Sequence, residues 1–197
     1  MENALEVHKD APVLNMLIAI RHRVSRRLQF EDDLSYYFGE TEWEAAAAAE
    51  LNGTSQSAVQ VREYVHHLKH ARPLLLISYF YHLNMALLAG GQLIKRLAKR
   101  GMNLPKGCGV ALFDYGNCSQ RRAIKTSLKA AINQIVLTKP ERMHVLNESV
   151  TVFERNNRLV ASMEVRRGVW TMLCNILRSK CVVGTVLVAA VASYMCV

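Results

Sequence analysis

An all-α single domain is the fold class the sequence predicts, and three observations carry the prediction. Within residues 78–100 apolar side chains recur at three- and four-residue steps (Tyr79, Leu83, Met85, Leu88, Leu93, Leu97), the period of one long amphipathic helix. The run Ala45 to Ala49 is a strong helix former. No stretch shows the strict alternation of a half-buried strand, and no internal repeat is visible.

The elements follow in order. Residues 2–9 suit a short helix, which Pro12 interrupts, and 13–28 resumes with Arg21, Arg23, Arg26 and Arg27 on its outer side. Residues 31–38 form a further helical piece closed by Gly39, and 41–51 contains the alanine run. Asn52-Gly53-Thr54 ends that helix as a loop. Residues 57–70 are helical, and Arg72-Pro73 precedes the long helix. Four glycines and Pro105 make 101–117 a loop. Residues 119–137 and a segment from Lys139-Pro140 to about Met163 complete the bundle.

Gly90-Gly91 is the anomaly in the long helix. Each glycine costs about 1 kcal/mol against alanine in a helix interior, so either the helix bends there or something approaches its backbone closely. Ala86, four residues earlier, lies on the same face as Gly90 and lengthens the bare strip. The spacing admits close helix packing or a flat ligand.

The balance of 25 Lys+Arg against 16 Asp+Glu gives a formal charge of +9 and favours anionic partners. Nucleic acid is not predicted as one, since the basic residues are scattered and form no zinc-finger or RNA-recognition pattern. Five cysteines without a CxxC pair point to a reducing compartment. The stretch 181–197 carries no charged residue and follows Arg178 and Lys180, the pattern of a C-terminal membrane anchor behind a cytosolic domain of residues 1–180. A buried terminal helix or strand is the other reading of it.

The run Tyr81-His82-Leu83-Asn84-Met85-Ala86-Leu87-Leu88-Ala89-Gly90-Gly91-Gln92, followed by basic residues and Asn103-Leu104-Pro105, resembles the distal helix of the heme oxygenases. Phe30 to Gly39 is similar to that family's acidic-aromatic segment, and Lys125 to Met163 to its last two helices. The resemblance implies a helical heme oxygenase-like bundle with a C-terminal transmembrane tail. It implies heme as both substrate and cofactor, cleaved with dioxygen to biliverdin, carbon monoxide and ferrous iron. Electrons would come from NADPH through a cytochrome reductase, and biliverdin reductase is a possible partner. The expected location is the endoplasmic reticulum membrane, with the main domain facing the cytosol.

Residue by residue, the resemblance makes His8, in Glu6-Val7-His8, the iron ligand. It places Ala86, Gly90 and Gly91 against the distal face of heme, Lys125 and Lys129 at its propionates, and Tyr81, Phe153 and Asn156 around the pocket. On spacing alone, Lys125 and Lys129 also fit a solvated helix face, Tyr81 and Phe153 fit core packing, and His8 fits an exposed terminus. His66 and His70 share a face but lack acidic or cysteine partners; His82 and His144 suit packing or capping.

Two departures from the family stand out. Leu87 occupies the place of an aspartate in mammalian-type members, so Leu87→Asp is expected to raise the yield of biliverdin. Between His8 and Phe30 the family has several helices, where this chain has room for about one. Beside the oxygenase reading stand a non-catalytic heme-binding or heme-sensing relative and a membrane-tethered helical interaction protein.

Overall fold

The computed structural model describes residues 1–163, and the stretch 181–197 read as an anchor lies outside them. Helices are the regular elements among the described residues: α1 (Glu2–Val7), α2 (Asn15–Val24), α3 (Arg27–Phe38), α4 (Trp43–Asn52), α5 (Gln56–His70), α6 (Leu76–Gly101), α7 (Cys118–Asn133) and α8 (Lys139–Ser162). Short 3-10 turns at Pro12–Leu14, Pro73–Leu75 and Ala111–Phe113 lead into or join them.

Helix α6 is the axis of the bundle. It is long and apolar enough to cross a bilayer, yet 72% of its most apolar window is buried, which makes it the core helix of this domain. Tyr79, Phe80, Leu83, Leu87 and Leu88 are among its buried residues. It packs against α8 and α7, and more lightly against α2, while α5 lies along α8.

The ends of the last two helices follow from local chemistry. Asn117 and Gln120 form a reciprocal capping box on α7, and Thr138 and Glu141 form another on α8, where Pro140 sits in the first turn. Each box satisfies backbone N–H groups that a helix start leaves unpaired.

Two boundaries differ from the sequence expectation. The segment 13–28 is broken, because Ser25 takes an extended conformation (φ −56°, ψ 133°) and α3 starts anew at Arg27. Helix α7 stops at Asn133 rather than 137.

The break at Ser25 turns Arg26 inward. At 8% exposure it donates from Nε to the Leu112 carbonyl (3.1 Å) and from Nη2 to those of Ala111 and Asp114 (both 2.6 Å). Its guanidinium also lies 4.4 Å from the centre of the Tyr115 ring. From α3, the Asp33 carboxylate accepts from the Ala111 and Leu112 backbone N–H groups (2.7 and 2.8 Å). Two charged side chains thus hold both donors and acceptors of 111–114 and lay that segment over α6.

Candidate functional site

Helix α6 runs unbroken through Gly90 and Gly91, so close approach rather than a bend accounts for the pair. The Phe113 ring fills the space beside Gly91, where an added Cβ would meet its Cδ1 at 2.8 Å. The Arg26–Asp33 clamp holds the turn that carries this ring. Gly90 and Ala86 are buried as well, whereas Ala89 between them is exposed. No side chain on the strip Ala86, Ala89, Gly90 exceeds a methyl group.

Around that strip the structure gathers part of the predicted set. His82, one turn before Ala86, meets the Phe153 ring of α8 edge-on with centroids 4.9 Å apart. Tyr81 stacks edge-on against His82 (5.2 Å). Burial keeps the His82 imidazole below the ordinary histidine range and hence neutral near pH 7. Asn156 is buried on α8 one turn beyond Val152, and Tyr81 and Phe153 are half-buried. On α7, Lys125 is half-buried and Lys129 exposed, four residues apart on one face.

His8 lies elsewhere. It caps α1, and its Nε2 is 3.2 Å from the Lys69 carbonyl at the end of α5, beside the Pro73 entry to α6. Gly90 is fifteen residues beyond Leu75, which is about 22 Å along a helix at 1.5 Å per residue.

Leu87 is fully buried, at 0% exposure, among the apolar residues of the core. The expectation that aspartate at this place would supply distal polarity meets a site that holds apolar side chains.

Sequence reading missed a polar cluster at the start of α6. The Tyr79 hydroxyl donates to Glu148 Oε1 (2.6 Å), and His67 Nε2 lies 2.9 Å from that hydroxyl and 3.2 Å from the same carboxylate oxygen. Arg155 Nη2 donates to His67 Nδ1 (3.0 Å). An N–H donor on one ring nitrogen fixes His67 as the neutral Nε2–H tautomer. Burial and the Arg155 cation both push its pKa down, and burial beside Glu148 pushes the Tyr79 phenol up. The signal lay in a tyrosine, a histidine, a glutamate and an arginine spread over three helices, which the more conspicuous His66–His70 pair hid.

The histidine shifts set a pH dependence. Because the folded pKa values of His67 and His82 lie below the unfolded value, the unfolded chain binds more protons as pH falls through about 6.5, and stability falls with it. The melting temperature is expected to drop between pH 7.5 and 5.5, and to drop less in a His67→Gln, His82→Phe double variant. Parallel curves for the two proteins would remove these histidines from the account.

A cavity of about 900 Å3 adjoins α6 at Phe80, Leu83 and Asn84 and is bounded by α3, α4 and α5. None of the predicted site residues lines it.

A family model described as heme oxygenase matches residues 1–162. Heme oxygenase 1 of Nostoc sp. is 26% identical over 183 residues, 91% of this chain and 73% of that protein. Heme oxygenase 1 of Bos taurus is 26% identical over 165 residues, 83% of this chain but only 55% of the relative. The crystal structure of heme oxygenase 2 from Chlamydomonas reinhardtii without heme superposes with a TM-score of 0.66 at 26% identity, covering 80% of this chain and 73% of that one. The chain thus spans between about half and three quarters of these relatives.

Proposed function

The chain belongs to the heme oxygenase family, and on that premise we propose that it binds heme and cleaves it oxidatively to biliverdin, carbon monoxide and ferrous iron. The observation that carries the reading is the strip Ala86, Ala89, Gly90 on α6, on which no side chain exceeds a methyl group and which would let a flat ring approach the helix backbone. Heme would supply the iron at which dioxygen is reduced.

The chain's own residues would bind and orient. On α7 the Lys125 and Lys129 cations suit two propionate carboxylates. Phe153 and Tyr81 offer ring faces and edges for the macrocycle, and Asn156 an amide beside them. The bare strip would hold only small ligands against the helix backbone, while Phe113 packs behind it on Gly91. His8 is the proposed iron ligand, whose Nε2 would exchange its contact with the Lys69 carbonyl for the metal. NADPH would deliver electrons through a cytochrome reductase, with biliverdin reductase as a possible acceptor of the product. The C-terminal segment would tether the domain to the cytosolic side of the endoplasmic reticulum membrane.

Single-turnover absorbance of the hemin complex, with NADPH and a cytochrome reductase, tests the activity. Loss of the Soret band with growth of biliverdin absorption and trapped carbon monoxide is the expected result. A stable Soret band would leave heme binding without turnover, and absence of any Soret band would overturn the proposal. His8→Ala is expected to remove the histidine-ligated spectrum while circular dichroism stays unchanged; an unaltered spectrum would end its assignment as ligand.

A further inference from the structure

The cavity beside the first half of α6 has the makings of a second binding site. Its aromatic and aliphatic walls, Phe30 and Phe38 of α3, Trp43 of α4, Val61 of α5, and Phe80 and Leu83 of α6, are interspersed with polar side chains. Helix α4, which bounds one side, has no buried residue of its own, so it covers a space rather than completing the core. A volume of about 900 Å3 is that of a small-molecule pocket, and dry apolar cavities take up aromatic guests.

One polar wall residue lies deep in the core. Asn84 is 4% exposed and lines the cavity; its Nδ2 donates back to the Phe80 carbonyl (2.8 Å), and its Oδ1 is buried without a partner. On the opposite side Glu2 Oε1 is likewise buried and unpartnered. Both orphaned atoms are acceptors. Among the described residues the cations at the edge are already engaged, Arg21 with Glu6 (2.8 Å) and Arg27 with Glu31 (2.7 Å), which disfavours an anionic ligand.

We propose that this cavity binds a neutral, flat aromatic molecule bearing an N–H or O–H donor, which Asn84 Oδ1 accepts. The site is separate from the Ala86–Gly90 strip and does not depend on heme binding there. Buried acceptors built to receive a donor reject an isostere that lacks it.

Indole and benzofuran, the same shape with and without an N–H, are the probes, titrated calorimetrically into the full-length protein. Indole is expected to bind saturably and roughly 5- to 10-fold more tightly than benzofuran, the worth of one net hydrogen bond. Asn84→Leu should bring the two within about twofold, and Ala46→Phe, which fills the cavity from α4, should abolish both. Equal binding of the two probes to the unaltered protein, no saturable binding of either, or undiminished binding by Ala46→Phe would each overturn the proposal. The comparison of probes on the unaltered chain needs no variant to fold.

Discussion

Replacing Arg26 with alanine is expected to destabilise the domain by about 3–5 kcal/mol, the usual consequence of removing one partner from a buried charged network. Three carbonyls, those of Ala111, Leu112 and Asp114, lose their donors at once. Asp33 also loses a cation that favours its ionised form, while burial already pushes its pKa up. Leaving buried groups unmade costs far more than the net worth of the bonds themselves. Against a typical domain stability of roughly 5–15 kcal/mol, the change would be severe. Urea denaturation should show a lower midpoint at unchanged slope. Arg26→Lys should recover less than half of the loss, because an ammonium cannot spread its donors over three carbonyls as a guanidinium fork does. A loss below about 1 kcal/mol would mean that packing alone holds the 111–114 segment.

That clamp also marks the limit of what periodicity reveals. Helices α6, α7 and α8 were legible because their apolar residues repeat over many turns and two of them start in capping boxes. Arg26 was not, since among Arg21, Arg23 and Arg27 it reads as one more outer charge. Its burial depends on main-chain carbonyls about 85 residues away, and no local pattern encodes such partners. For Gly91 the need for close approach was legible, but its partner, Phe113, was not. His67 and Asn84 share this cause, because a polar residue on an apolar face becomes interpretable only when the facing helix is known.

Arg21, Val24, Ser25 and Arg27, where α2 gives way to α3, border the large cavity. The break that turns Arg26 inward thus also sets one wall of the proposed second site, while α1 is held at its far end through His8 to Lys69.

Leu87→Asp is expected to cost about 4 kcal/mol or more and to lower, not raise, the amount of product formed. Truncating a fully buried leucine forfeits roughly 2–5 kcal/mol of transfer and cavity energy. The carboxyl group that replaces it meets Leu83, Leu88 and the rest of an apolar core, where an ionised group without a partner is not tolerated. Its pKa would rise until it neutralises, and a protonated acid there still lacks an acceptor. Leu87→Met, which conserves volume, should stay within about 1.5 kcal/mol of the unaltered protein. Melting temperatures measured with and without hemin distinguish the possibilities. A Leu87→Asp protein as stable as its parent when loaded with hemin, and faster in turnover, would show that water reaches position 87 in the complex. Loss of stability in both states would instead fix Leu87 as a packing residue, and distal polarity would have to come from Asn156 or from the backbone of the glycine strip.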